Sequence, residues 1–134
     1  MSLIVQKYGG SSVADAEKIK RVARRVGKAQ DQGNHVVVVV SAMGDTTDDL
    51  IDLAHKITPE PDEREMDVLL STGEIVSTTL MAMALRSMGY SAVSLTGGQA
   101  GIWTDETHRK ARIVAVKAER ITKELDSGKI VVVA

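Results

Sequence analysis

Short runs of β-branched residues alternate along the chain with longer stretches in which apolar residues recur every three or four positions. Leu3 to Val5 is the first apolar run and gives way to Lys7-Tyr8-Gly9-Gly10. Ile19, Val22, Ala23 and Val26 then keep a helical period, preceded by Ser12 and Asp15 at the spacing of a capping box and closed by Gly33-Asn34. Val36 to Val40 is an unbroken run of valines. A β-branched run without alternation predicts a strand buried on both faces, as in a parallel sheet.

After the loop Ser41-Ala42-Met43-Gly44-Asp45-Thr46-Thr47, Leu50, Leu53, Ala54 and Ile57 form one helical stripe, with Thr46 or Thr47 as its cap. Pro59 and Pro61 break it. A long helix is predicted from about Glu63 to Met88, with Met66, Leu69, Leu70, Ile75, Val76, Leu80, Met81, Ala84 and Leu85 on a wide apolar face. Gly73 inside it costs about 1 kcal/mol against alanine, which points to close packing or ligand access. Ala92 to Leu95 reads as a strand, Thr96 to Gly101 as a loop, and Val114, Ala118, Ile121 and Leu125 as a last helix ended by Gly128. Ile130 to Val133 is a final buried strand. The order β-α-β-α-α-β-α-β predicts an α/β fold, a three-layer α/β/α sandwich with a mostly parallel sheet. Residues 1–134 form one domain portion, and a central strand as the last element suggests a piece of something longer.

Composition narrows the functional classes. The chain has 134 residues, 43% of them apolar and 26% charged, with a net charge of -1. Such a balance gives no field for nucleic acid or an anionic membrane surface. No stretch is expected to span a membrane, the N-terminus is not a signal peptide, and a cytoplasmic location is the default expectation. There is no cysteine, so disulfides and cysteine metal sites are excluded, and with no phenylalanine the core must be aliphatic.

In open α/β sheets ligands bind beyond the carboxyl ends of the strands. Three loops rich in Gly, Ser and Thr occupy that position: Lys7 to Ser12, Ser41 to Thr47, and Thr96 to Gln99. Glycines let backbone amides approach an anion, and Lys7 adds a cation beside them. That combination suits a polyphosphate, and equally a plain strand-to-helix turn with a surface lysine. Neither Gly-x-x-x-x-Gly-Lys-Ser/Thr nor Gly-x-Gly-x-x-Gly occurs. Asp45, Asp48 and Asp49 read as first-turn acids that complement the helix dipole, and no metal site is expected. His35, His55 and His108 show no paired spacing and read as surface or loop residues; Met66, Met81 and Met88 read as core.

Four blocks in order resemble the aspartate kinases of the amino acid kinase family: Lys7-Tyr8-Gly9-Gly10-Ser11-Ser12-Val13, Val40-Ser41-Ala42-Met43-Gly44-Asp45-Thr46-Thr47-Asp48, Ser71-Thr72-Gly73-Glu74, and Gly98-Gln99-Ala100-Gly101-Ile102. The resemblance implies phosphorylation of the L-aspartate β-carboxylate by ATP, with Mg2+ held mainly by the phosphates, in biosynthesis of lysine, threonine and methionine. Lys7 matches the catalytic lysine that contacts ATP phosphates, and Tyr8, Gly9, Gly10, Ser11 and Ser41 match the phosphate-binding set. Ser41, Asp45, Thr46 and Thr47 match the substrate region, and Glu74 matches the carboxylate that holds the substrate's α-amino group. Trp103 departs from the small polar residue more usual in the family.

The family's Arg-Gly-Gly-Ser-Asp segment, nucleotide-base pocket and ACT-type sensing domains have no counterpart in these residues. The segment alone is therefore expected to be inactive and to pair with a second copy or with the rest of the enzyme. Relatives acting on glutamate, N-acetylglutamate, carbamate or a nucleoside monophosphate share the glycine-rich openings but not the joined blocks. A non-catalytic assembly piece, pairing through an open sheet edge, is the reading from another class.

Overall fold

The computed structural model describes residues 1–134. Both unbroken β-branched runs become strands: β2 (His35–Val40) and β6 (Ile130–Val133). They lie next to each other in a four-stranded parallel sheet of order β1-β2-β6-β3, with β1 at Leu3–Tyr8 and β3 at Ala92–Leu95. All four residues of β6 are buried, because it has a strand on either side and a layer on either face. The last strand is thus central, as expected from the sequence, and the open edges are β1 and β3.

Helices α1 (Ala16–Asp31), α2 (Thr46–Ile57) and α3 (Glu63–Ser87) form one layer. Ile19, Val22 and Val26 of α1 and Met81 and Leu85 of α3 meet Val36, Val38, Val40, Ile130 and Val132 in the main core. On the other face, Leu125 and Ile121 of α4 (Glu119–Asp126) cover Val37, Val131, Val133 and Leu95. The three-layer α/β/α plan is present, with a thin second helical layer. It leaves Leu3 and Val5 of the edge strand more than half exposed.

Several local expectations change. Asp15, not Ser12, caps α1: its carboxylate accepts from the Lys18 amide at 2.8 Å, while Ser12 lies inside a 3-10 turn over Gly10–Val13. Asp45 occupies the N-cap position of α2 without a side-chain bond, and Thr46 is already helical. The helix ends at Ile57, and Thr58 before Pro59 is extended, as a residue preceding proline prefers. The helix α3 runs as predicted, but Ile75, Val76 and Leu80 lie on its exposed side together with Val68 and Met83. By length and hydropathy alone α3 could cross a membrane, contrary to the expectation that no segment would. In the fold it is a core helix, with Met66, Met81 and Leu85 buried.

The largest departure is a hairpin of β4 (Ile102–Thr104) and β5 (Ile113–Val116), where a loop and the start of a helix were expected. Val114 is therefore in a strand, and the helix begins only at Glu119. Every residue of β5 is exposed, so its apolar letters report local pairing and not burial. His35, expected at the surface, opens β2 half-buried.

Two glycines mark where segments touch beyond the strand ends, and a third contrasts with them. A Cβ on Gly10 would stand 2.9 Å from the carbonyl oxygens of both Ala42 and Gly44. A Cβ on Gly73 would stand 2.9 Å from that of Ala42 and 3.4 Å from Thr46 Cγ2. Gly9 has nothing within 4 Å of the same position.

Two ionisable groups tie helices to their surroundings. Glu124, buried on α4, accepts from Lys129 Nζ at 2.6 Å and Arg120 Nε at 3.0 Å. The Lys129 bond holds its carboxyl below a glutamate's ordinary value, against the opposing effect of burial and with help from Arg120. The Tyr90 hydroxyl donates to Asp31 Oδ2 at 2.6 Å, which raises its pKa.

The pH dependence of stability follows in sign. Glu124 is more acidic folded than unfolded, so its contribution is present above the ordinary glutamate value and is lost as pH falls through the folded one. Tyr90 is raised, so its contribution is present below the ordinary tyrosine value and is lost as pH rises through the folded one. Denaturant titrations across pH should give a shallower acid limb for Glu124→Gln and a shallower alkaline limb for Tyr90→Phe. The same titrations should show Gly10→Ala losing about 1–3 kcal/mol by overpacking. Gly9→Ala should stay within about 0.5 kcal/mol.

Candidate functional site

Because the four sheet strands are parallel and in register, their carboxyl ends share one edge: Lys7 is level with Val39, Val39 with Val133, and Val133 with Leu95. The loops after β1, β2 and β3 all open there. The first two are fastened to each other by backbone, with the Ser41 amide donating to the Tyr8 carbonyl at 3.1 Å and the Gly44 amide to the Gly10 carbonyl at 2.9 Å. The close approach of Gly73 to Ala42 and Thr46 then brings α3 against the second loop, and Glu74 with it.

Lys7 and Tyr8 are the last residues of β1, not loop residues. Alternation along the strand sends them to opposite faces. Lys7 is exposed on the α4 side and makes no hydrogen bond or ion pair with the chain, whereas the Tyr8 hydroxyl donates to Gln6 Oε1 at 2.9 Å and its ring packs on the main core. Gly9 precedes the 3-10 turn in an extended conformation, and Ser11 within the turn is exposed.

In the second loop Ser41 and Thr47 are half-buried, and neither hydroxyl bonds to the protein. The Thr46 hydroxyl instead donates to the Met43 carbonyl, which holds the loop's shape. Asp45 is exposed at the start of α2. The Glu74 carboxylate is half-buried and also lacks a protein partner. A free cation, a free carboxylate and two free hydroxyls thus sit on segments that end at or pack against one sheet edge, in different layers of the fold.

The third loop is rigid. The Thr96 amide donates to Gln99 Oε1 at 3.0 Å, and the Gln99 amide to Thr96 Oγ1 at 3.3 Å. Between them Gly97 and Gly98 have no atom within 4 Å of a would-be Cβ. Gly9, Gly97 and Gly98 therefore have no steric reason within the chain to be glycine, and each leaves backbone open to an approaching group. No set of three His, Asp or Glu side chains is arranged to hold a metal ion, so a divalent cation here would have to bring most of its own ligands.

The hairpin beside this loop went unforeseen, as did its anchor. Asp67 on α3 accepts from His108 Nδ1 at 3.0 Å and from the Arg109 amide at 3.2 Å, two helical turns before Glu74. A contact between residues so far apart in sequence leaves no local signal; the left-handed Arg109 (φ 64°) at the tip is equally invisible. Trp103 lies on β4, 56% exposed, with Lys117 Nζ 5.9 Å above its ring. Asp105 is held below an aspartate's ordinary pKa chiefly by the Thr107 amide.

Comparison with known proteins fits this arrangement. The sequence model of the amino acid kinase family matches residues 2–134. An aspartokinase of Mycolicibacterium smegmatis is 58% identical over 134 residues, which are all of this chain and 32% of that protein. The chain thus spans about a third of the length of the curated relatives it matches. The crystal structure of aspartate kinase from Synechocystis superposes with a TM-score of 0.85 at 50% identity, over 99% of this chain and 22% of that one. That of E. coli aspartokinase III in complex with aspartate and ADP does so with a TM-score of 0.81, over 99% of this chain and 40% of that one; at 20% identity it bears on the fold alone. Matched by the family's sequence model almost from end to end, and superposing on a solved aspartate kinase, the chain belongs to the amino acid kinase family.

Proposed function

We propose that this chain forms the portion of an aspartate kinase that presents the phosphate-binding lysine and the carboxylate for the substrate's ammonium group. The reaction is transfer of the γ-phosphoryl group of MgATP to the β-carboxylate of L-aspartate, giving 4-phospho-L-aspartate and ADP, within lysine, threonine and methionine biosynthesis in the cytoplasm. The observation that supports this reading is that Lys7 ends β1 at the carboxyl edge of the sheet and Glu74 follows the glycine that packs on the loop after β2, both without a partner in the chain. The high identity to aspartokinases supports aspartate over other acceptors.

Phosphoryl transfer depends on positioning and charge neutralisation more than on covalent chemistry. Lys7 offers an ammonium to the phosphate oxygens, and the open backbone at Gly9 lets amides approach them without a side chain between. Gly10 and Ser11 continue that turn. Glu74 accepts from the α-ammonium of aspartate, a charge-assisted contact that fixes which end of the substrate faces the nucleotide. Ser41 and Thr47 supply hydroxyls to the substrate, and Ser41 also reaches toward the phosphate side; Asp45 and Thr46 shape the same wall. Magnesium arrives on the phosphates and keeps water ligands.

Association with a second copy, or with the rest of the enzyme, belongs to the same reading. The open edges β1 and β3 and the apolar outer side of α3 support it. These residues alone are expected to bind nucleotide weakly and to turn nothing over.

The test is aspartate-dependent ATP turnover by the protein that carries this segment. Lys7→Ala should lower kcat by about 10²–10³, the range for losing one transition-state donor. Glu74→Gln should raise KM for aspartate about tenfold or more, as for a lost hydrogen bond to a charged group. It should leave KM for ATP nearly unchanged. A Glu74→Gln effect confined to ATP would remove the substrate assignment, and turnover with another acceptor but not aspartate would remove the activity.

A further inference from the structure

Outside this edge the chain has one concave, strongly basic feature. Lys18, Arg21 and Arg25 stand at neighbouring positions on one stripe of α1. With Ser11, Ser12 and the Tyr8 ring they line an open recess of about 270 Å³ beside β1. None of the three cations forms an ion pair: the chain's pairs lie elsewhere, and on α1 only Lys20 is matched, by Glu17 at 3.3 Å. The remaining acids nearby are engaged. Asp15 accepts from the Lys18 amide, and Asp31 from the Tyr90 hydroxyl. The hydroxyls of Ser11 and Ser12 are exposed and make no bond to the protein.

The arrangement works against the helix unless an anion fills it. Like charges three and four residues apart repel. Lys18 also lies in the first turn, where the helix dipole disfavours a cation. A bound anion relieves both. The recess is open and lies at the small end of the roughly 300–1,000 Å³ of sites for drug-sized ligands, which suits a small anion. Lys18 and Arg25 are about 10 Å apart along the helix axis, enough for more than one phosphate group. Guanidinium forks beside hydroxyls match tetrahedral phosphate oxygens better than a lone ammonium does.

We propose that this recess is a second anion site, distinct from the Lys7 edge, that takes a small ligand bearing one or two phosphate groups. Tyr8 lines it while Lys7 leaves β1 on the opposite face, so the two sites share the turn at Ser11 but lie on opposite faces of the strand. An anion here bears on the 3-10 turn that follows Gly9-Gly10, and so on the backbone of the Lys7 site.

The experiment is titration of the protein with inorganic pyrophosphate, at fixed ionic strength, by calorimetry and by amide chemical shifts. Arg21→Ala/Arg25→Ala should weaken binding by about tenfold or more. Arg21→Lys/Arg25→Lys, which keeps the charge, should fall between that and the parent. Read at the amide shifts of α1, Lys7→Ala, and the control pair Arg24→Ala/Lys28→Ala on the same helix outside the recess, should each stay within about twofold. Arg21, Arg24, Arg25 and Lys28 are all exposed, and an unchanged denaturant midpoint verifies that the variants fold. Equal loss in the Arg24/Lys28 control would show diffuse charge attraction and overturn the site. Loss with Lys7→Ala but not with the Arg21/Arg25 pair would place the anion at the other edge and overturn it too. Citrate binding as tightly as pyrophosphate would overturn the phosphate assignment, and no saturable binding would overturn the whole proposal.

Discussion

Close packing of Gly10 on the backbone of Ala42 and Gly44, and of Gly73 on the Ala42 Cβ, is the constraint on which the geometry of the edge depends. Strands end where hydrogen bonding ends, and the loops beyond them would otherwise be free to wander. Here the absence of two Cβ atoms lets the first loop rest on the second and the second on α3. Backbone atoms cannot move aside as a flexible side chain can, so the three segments are located together. Glu74 inherits its position from this packing, since it follows the glycine that touches Ala42.

A second regularity is where the chain leaves polar groups unpaired. No buried side-chain nitrogen or oxygen lacks a partner. Glu124 has two cations, and Asp67 binds the hairpin tip through both a ring nitrogen and a backbone amide. Free groups gather instead at the carboxyl edge of the sheet and along the basic stripe of α1. Unpaired charge near the surface costs little in water, but its concentration at one sheet edge and in one recess separates these positions from an ordinary solvated surface.

The fold was legible wherever burial wrote a continuous signal. Five valines in a row and Ile130 to Val133 are apolar because both faces of their strands are covered, and α3 announced itself through its period and length. Glycines at the ends of α1, α3 and α4 adopt positive φ, as their place in the sequence suggested. The hairpin was missed because Ile113 to Val116 are apolar yet exposed, so their letters merged with the helical period that follows. Ser12 looked like a cap until a tight turn intervened and passed the role to Asp15. For the site, glycines and Lys7 could be placed beyond the strand ends by topology alone. The roles of Ser41, Thr47 and Glu74 came from the family likeness, since nothing in the period of a helix distinguishes one glutamate from another. Lys18, Arg21 and Arg25 read simply as a polar face, because concavity is a property of three dimensions.

The order of strands in the sheet has a consequence for synthesis. β6 is made last of the six and sits between β2 and β3, so the halves of the sheet cannot join until residues 130–133 have left the ribosome. At about 5–20 residues per second, the roughly ninety residues between β2 and β6 take several seconds to appear. During that interval the uncharged valine run of β2 has an unpaired edge, the kind of segment that recruits other chains into aggregates. Its protection meanwhile falls to β1 on one edge and to α1 on one face, elements that precede or adjoin it in the chain. The nascent chain thus shields its most aggregation-prone strand with what has already emerged.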